Sequence, residues 1–225
     1  MARALKTELL ESGWGATGIE LPWRVLSLLN VFRLLLPMLL LLVFFFNAPS
    51  NSVGSQQPGL FLSVAVGYFA FALVCIQTIQ SRTPSAEWQA ILQLVVDAIA
   101  ISVLIHASGG VSSGLATLLV LPTGAAATIL PRRYALLGTS FVALSLLTET
   151  TISFLQGESF RSDYLITGLT GASLFAITLL AVPFAARLRE SEALAKQREI
   201  DLANLNELNE FIVQHLRESI LVVDA

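Results

Sequence analysis

Long apolar runs separated by short polar connections dominate the hydrophobic pattern of this chain. A helix needs about 20 apolar residues to cross the hydrocarbon core of a bilayer. Six windows qualify, of which the third and fourth are the shortest: residues 25–46, 59–79, 88–105, 115–130, 134–155 and 164–186. The connection at 107–114 is rich in Gly and Ser and indicates a turn. The pattern therefore predicts an all-α, polytopic membrane bundle of six transmembrane helices.

Composition supports a lipid bilayer as the main partner of this chain. Hydrophobic residues make up 55% of it and charged residues 13%, whereas a soluble domain carries about 25% charge. The net charge is −3, and there is no nucleic-acid motif, so direct nucleic-acid binding is not expected. A single cysteine, Cys75, cannot form an intramolecular disulfide and has no metal-ligating neighbours. We expect no catalytic residue, metal or cofactor in this chain.

The distribution of Lys and Arg predicts the direction of the spans, because cytoplasmic loops carry an excess of basic residues. Alternating the loops places eleven of the thirteen basic residues on one side, Arg161 on the other and Arg33 within a span. We therefore expect an inner (cytoplasmic) membrane protein of a bacterium, with residues 1–24 and both termini in the cytoplasm.

Arg33 and Asp97 are charged residues within predicted spans, where ionisable groups are costly and mark pairing or functional sites. Both lie about 13 Å into the membrane from the cytoplasmic end, at 1.5 Å per residue. The shared depth predicts an ion pair between the first and third helices. Gln89, Gln93 and Asp97 follow at four-residue intervals and share one helix face. The pair would either fix helix packing alone or also take part in switching.

A second titratable pair, His106 and Glu149, is expected near the outer surface. Imidazole titrates near neutral pH, so such a pair suits a pH sensor. The competing interpretation is an incidental histidine at the rim of the bundle. The repeated polar path that a transporter needs is missing from the spans.

The sixth predicted span contains a small-residue stripe and a proline. Gly168, Ala172 and Ala176 stand four residues apart and predict a helix-packing face with close backbone approach. Pro183 removes a helix hydrogen bond near the cytoplasmic end of the span. We interpret it as a hinge.

Residues 187–216 contain no Gly or Pro and many helix formers, which predicts a cytoplasmic signalling helix. A heptad-like track with spacings of three and four runs along it and favours a parallel homodimer. The predicted dimer seam consists of Leu202, Leu205, Asn209, Ile212 and Leu216. The alternative is one amphipathic helix that packs on its own chain.

Residues 217–225 begin a β-branched apolar run directly after this helix, which predicts the first strand of a new domain. An isolated strand is not stable. We therefore expect the natural protein to continue beyond Ala225.

The segment from 206 to 225, NELNEFIVQHLRESILVVDA, resembles the junction between the signalling helix and the PAS domain in sensor histidine kinases. It is most similar to the PilS-type kinases that regulate type IV pilin transcription, which also carry six N-terminal membrane helices. The resemblance implies a PAS domain, dimerisation helices with a phosphorylated histidine and an ATP-binding domain that uses ATP and Mg. It also implies a response regulator as partner and pilin subunits sensed through the membrane helices.

The expected organisation is a cytoplasmic segment (1–24), a six-helix sensor domain (25–186), a signalling helix (187–216) and the start of a PAS domain (217–225). His215 lies before the PAS-like strand, where the resembled family has a non-catalytic histidine, and no phosphoacceptor motif occurs. The chain itself is thus expected to lack kinase activity. The alternatives are a small six-helix transporter, or the sensor of a different PAS-linked output such as a cyclic-dinucleotide enzyme.

Overall fold

The computed structural model of this protein describes residues 17–46, 53–157 and 160–220, and within these ranges the chain is helical with no strand. The all-α class is therefore confirmed. The helices are α1 (Thr17–Phe46), α2 (Pro58–Ser81), α3 (Ala86–Ala107), α4 (Val120–Ile129), α5 (Arg132–Leu155) and α6 (Arg161–Ile220), with short 3-10 helices at Val111–Ser113 and Leu115–Leu119.

Five stretches in the described part of the chain are long and apolar enough to cross a membrane: Leu21–Phe46, Pro58–Ser81, Ala86–Ala107, Arg132–Leu155 and Arg161–Leu202. The fourth predicted span differs, because it forms a shorter apolar helix, Leu115–Ile129. Gly114 precedes it with φ 77°, and Leu130 ends it with extended backbone (φ −80°, ψ 147°). A residue before proline avoids the helical region, and Pro131 follows Leu130. At 1.5–2.0 Å per residue this helix is roughly 25 Å long, less than the hydrocarbon core.

Helix α3 occupies the middle of the bundle. It contacts α1, α2, α4, α5 and both 3-10 helices. Of its most apolar 18-residue window, 56% is buried, against 28–33% for α1, α2 and α5. The polar side chains Gln89, Gln93 and Asp97 on α3 are enclosed by protein. Leucines on α1, such as Leu28, Leu35 and Leu39, are instead exposed on the outer surface, as lipid contact requires.

The turn predicted at 107–114 ties two connections together at one end of the bundle. The Ala107 carbonyl accepts hydrogen bonds from the backbone N–H groups of Gln56 and Gln57, both at 3.2 Å. The Gly54 N–H donates to Ser108 Oγ at 3.0 Å. Gly110 has φ 84°, a conformation that glycine adopts at little cost. These bonds fix the start of α2 against the end of α3.

The predicted signalling helix is the second part of α6, which is one helix of 60 residues with Pro183 inside it. The chain divides after Pro183 into two compact units. The helix also includes 217–220, the first residues of the segment predicted to begin a PAS domain. Residues 221–225 lie outside the described residues, so the PAS strand stays a prediction.

Two threonine pairs join α5 to the first part of α6. Thr139 Oγ1 and Thr178 Oγ1 are 2.7 Å apart, as are Thr150 Oγ1 and Thr167 Oγ1, and all four residues are buried. Along each helix the two threonines are eleven residues apart, about three turns at 3.6 residues per turn. Both hydrogen bonds therefore lie on one face of an antiparallel helix pair and share one register.

We predict that Thr139→Val and Thr178→Val each destabilise the protein slightly, because valine keeps the shape and removes the hydroxyl. Interhelical hydrogen bonds in membranes contribute about 0.6 kcal/mol on average and at most about 1.7 kcal/mol. The double variant should lose little more than either single one, since both substitutions break the same bond. The free energy of unfolding in bicelles, measured by steric trapping, tests this.

Thr148→Val is the matched control, because Thr148 is exposed and its hydroxyl donates to the Leu144 carbonyl of its own helix. Losses that simply add in the double variant would contradict a shared hydrogen bond.

Candidate functional site

A buried ion pair between α1 and α3 is the centre of the candidate site. Arg33 Nε donates to Asp97 Oδ1 at 2.7 Å, and Arg33 Nη2 donates to Asp97 Oδ2 at 2.6 Å. Arg33 is 1% exposed and Asp97 is 0% exposed. The structure thus brings the two charged residues selected from the sequence into the parallel, two-bond geometry that makes arginine–carboxylate pairs strong.

Two further side chains complete the cluster. Tyr68 on α2 donates its hydroxyl to Asp97 Oδ1 at 2.8 Å. Arg33 Nη1 donates to Gln93 Oε1 at 2.8 Å. Both are buried, so the network joins α1, α2 and α3 without contact with solvent or lipid. A buried pair is stabilising only where further hydrogen bonds satisfy its remaining atoms, and these partners supply them.

Gln89 lies on the same face of α3, one turn before Gln93, and is also buried. Its Nε2 donates to the carbonyl oxygens of Thr78 at 2.9 Å and Thr83 at 3.1 Å. The predicted polar face of α3 therefore makes two kinds of contact. Gln93 and Asp97 bind Arg33, and Gln89 bonds the connection between α2 and α3.

A second polar cluster lies between α3 and α5. His106 Nδ1 is 3.7 Å from Glu149 Oε1 and 3.2 Å from Ser153 Oγ. Ser153 Oγ donates to Glu149 Oε1 at 2.7 Å. The structure therefore brings together the titratable pair expected near the end of the bundle, with Ser153 between the two groups.

The predicted helix-packing face of the sixth span is exposed in the single chain, so its packing stays a prediction. Gly168, Ala172 and Ala176 are exposed, whereas Thr167, Leu174 and Thr178 are the buried residues of that part of α6. The orientation of these residues has a physical reason. Two threonine hydrogen bonds to α5 set the rotation of α6, and this rotation turns the small residues outward.

Sequence reasoning missed Tyr68 and the threonine pairs. Tyrosine prefers the membrane interface, and a buried tyrosine hydroxyl needs a hydrogen-bond partner. Tyr68 is in the middle of an apolar span, so its position was a usable signal for a polar partner nearby. The threonines gave no comparable signal, because a threonine in a helix can bond its own backbone.

The predicted dimer seam belongs to the part of α6 that follows Pro183. Leu202, Leu205 and Ile212 are exposed in the single chain. The side chains of Asn209 and Leu216 lie outside the described residues. Within the described residues no group of three or more His, Cys, Asp or Glu is arranged to hold a metal ion.

Apolar helices around a buried ion pair define the chain as a multi-pass membrane protein with a polar core. The chain belongs to the family of PilS-like transmembrane domains, whose family model matches residues 17–195. The sequence-based recognition of a PilS-type membrane region is thus confirmed.

One curated relative is the sensor protein kinase PilS of Pseudomonas aeruginosa, which is 30% identical to this chain over 203 residues. The aligned region covers 90% of this chain and 38% of that protein, so the chain spans less than half of the relative's length. No solved structure matches the chain.

We predict that Asp97→Asn and Arg33→Met each destabilise the bundle by about 3–5 kcal/mol, because each leaves one buried charge without its partner. The double variant Arg33→Met/Asp97→Leu removes both charges and should regain most of this loss. The measurement is the free energy of unfolding of the protein in bicelles.

Arg133→Met makes the same chemical change at an exposed arginine and should have little effect. If Asp97→Asn were as mild as this control, the ion pair would not stabilise the bundle.

Proposed function

We propose that this chain is the membrane sensor and signal-transmitting region of a two-component sensor histidine kinase. The observation that carries the proposal is the continuity of α6, which begins in the membrane bundle at Arg161 and continues as one helix to Ile220. A displacement of the last span would pass along the same helix toward an output domain. The family match and the similarity to a sensor protein kinase support this direction of signalling.

The stimulus is proposed to act in or near the membrane. The connections on the side opposite Arg82 and Arg132 are short, and a segment of about a dozen residues cannot form a folded ligand-binding domain. The transmembrane helices themselves are therefore the receiving surface. Type IV pilin subunits are the proposed stimulus and pilus gene expression the proposed output, both on the resemblance of the 206–225 segment to PilS-type kinases.

The proposed output follows the same resemblance. A PAS domain would follow the signalling helix, and the phosphoacceptor histidine and ATP-binding domain would come after it. ATP and Mg would bind there, and a response regulator would receive the phosphoryl group. This arrangement requires both termini of the present chain to be cytoplasmic, which agrees with the distribution of Lys and Arg.

Pro183 is proposed as the hinge of the output helix. It has no N–H, so the Leu179 carbonyl four residues earlier lacks its usual helix donor. The Arg33–Asp97 cluster is proposed to keep α1, α2 and α3 together, since all of its groups are bonded. The moving part would then be α6.

Sequencing the gene beyond the codon for Ala225 tests the proposal. We expect the same reading frame to encode a PAS domain, a phosphoacceptor motif and a Gly-rich ATP lid. The purified full-length protein in nanodiscs should then transfer the γ-phosphate of ATP to that histidine, and deletion of the gene should change transcription of the pilin gene.

A reading frame with cyclic-dinucleotide synthesis motifs would keep the sensor role and overturn the kinase role. Solute uptake into proteoliposomes, with no output domain in the reading frame, would support a transporter instead. A variant without the phosphoacceptor histidine controls for contaminating kinases.

We predict that cysteines introduced at Leu205 or Ile212 form disulfides between two copies of the chain in membranes. Both positions belong to the predicted seam, and both side chains are exposed in the single chain. The background should be Cys75→Ala, which removes the native thiol. Non-reducing gel electrophoresis after mild oxidation measures the crosslink.

A cysteine at Asn204 is the matched control, because Asn204 is exposed but lies outside the heptad track. Equal crosslinking at Asn204 and Leu205 would show random collision rather than a seam, and no crosslink at either seam position would contradict the dimer.

A further inference from the structure

Three polar side chains connect α3 to α5 at the end of the bundle where the 107–114 turn lies. This is the outer end in the orientation predicted from Lys and Arg. His106 lies in the last turn of α3, and Glu149 and Ser153 lie one turn apart on α5. Ser153 Oγ donates to Glu149 Oε1 at 2.7 Å and is 3.2 Å from His106 Nδ1. A serine hydroxyl has one hydrogen to donate, so its oxygen accepts the hydrogen bond from His106 Nδ1.

Glu149 is buried without a complete set of partners. It is 5% exposed, and its Oε2 is buried with no hydrogen-bond partner among the described residues. Asp97, in contrast, is paired with Arg33, whose guanidinium stays charged in proteins. The basic group beside Glu149 Oε1 is the imidazole of His106, with Nδ1 at 3.7 Å. Because an imidazole changes its charge near neutral pH, the charge balance of this contact depends on pH.

A second carboxylate, Asp163, adds negative charge to the contact. It lies in the first turn of α6, is 7% exposed and interacts electrostatically with Glu149. The charge of Asp163 is stabilised locally, because its Oδ2 accepts the Phe160 N–H at 2.9 Å and a helix N-terminus favours anions. Two buried carboxylates are thus accompanied by one imidazole, so the uptake of one proton improves the charge balance.

The added proton is favoured on His106 rather than on Glu149. The His106 side chain is 18% exposed, against 4% for that of Glu149, so protons reach the imidazole more readily. His106 also lies at the C-terminus of α3, where the helix dipole favours a cation. A proton on Glu149 Oε2 would have no acceptor among the described residues, and an unsatisfied buried donor is costly.

Other ionisable groups near this contact are few. The elements that pack against α3 at this end contribute no titratable side chain within the described residues, and these are residues 34–46 of α1, 58–67 of α2 and 111–129. Asp97 on α3 already pairs with Arg33. On α6, Arg161 is exposed and the Tyr164 hydroxyl donates to α5. The pH response near neutrality is therefore assigned to His106.

We propose that the His106–Ser153–Glu149 contact is a pH-sensitive switch that holds α3 to α5 more tightly when His106 is protonated. The imidazolium gains Glu149 as its counter-charge, and the Ser153 hydroxyl stays between them. The ion pair exists only while His106 is charged, so its stabilisation is present at acidic pH and is lost as the pH rises through neutrality. Thr150, the residue after Glu149, bonds to Thr167 of α6, so the same turn of α5 also contacts α6.

A double-variant cycle on the full chain in bicelles tests the proposal. The variants are His106→Gln, Glu149→Gln and both together, and their free energy of unfolding is measured by steric trapping at about pH 5.5 and about pH 8. At the acidic pH the coupling between the two substitutions should change the unfolding constant about tenfold, which corresponds to about 1.4 kcal/mol. At the higher pH the two effects should simply add. The measurement needs no output domain, so it does not depend on the proposed kinase role.

The matched control is His215→Gln, which removes the other histidine of the chain. It should leave the difference in stability between the two pH values unchanged, whereas His106→Gln should remove most of it.

Spin labels give a second measurement that leaves the contact intact. In a Cys75→Ala background, labels at the exposed positions Ile99 of α3 and Leu155 of α5 should show a narrower distance distribution at the acidic pH. Labels at Leu92 and Leu137, exposed positions nearer the opposite end of the same helices, should show no change.

Equal coupling at both pH values would overturn the proposal, as would a coupling that grows as the pH rises. An unchanged pH dependence in His106→Gln would assign the response to another group. A distribution at Ile99 and Leu155 that does not respond to pH would exclude the switch. The same narrowing at both label pairs would show a general effect of pH on the bundle instead.

Discussion

Arg33 and Asp97 carry opposite charges into a region of the chain where no water can solvate them. Removing such charges from water is expensive, and only close pairing with additional hydrogen bonds offsets the cost. Tyr68 and Gln93 provide those bonds from α2 and α3. Because the network needs groups from three helices, it requires α1, α2 and α3 to pack together, and it places α3 where its polar face is covered.

The same requirement divides α3 into two parts with different properties. Near Asp97 each charged atom has a partner inside the protein, so this part of the bundle has one well-defined arrangement. Near His106 the polar cluster is only partly satisfied, because Glu149 Oε2 is buried and has no hydrogen-bond partner among the described residues. A fully satisfied network resists rearrangement, whereas a partly satisfied one changes its bonding when a ligand or a proton arrives. The two polar clusters on α3 therefore differ in how completely their atoms are hydrogen-bonded.

Hydrophobic periodicity and depth predicted much of this architecture, including the helical class and the approach of Arg33 to Asp97. Apolar length placed the fourth span among the shortest, but it did not show that Gly114 and Pro131 set its ends through backbone conformation. The stripe at Gly168 was predicted as a packing face, and small residues suit contact with a partner helix in the membrane as well as packing within the bundle. The orientation of this stripe depends on threonine hydrogen bonds between α5 and α6. The residue pattern of one helix carries no information about its contacts with another helix.

Helix α5 takes part both in the His106–Glu149 cluster and in the contact with the first part of α6. It supplies Glu149 to that cluster, and one and ten residues from Glu149 it supplies Thr150 and Thr139 to α6. Because both threonine bonds share one register, a rotation or shift of α5 would act on α6 at two levels together. A rotation of α5 would also alter the distance between Glu149 and His106 on α3, which is 3.7 Å between Oε1 and Nδ1.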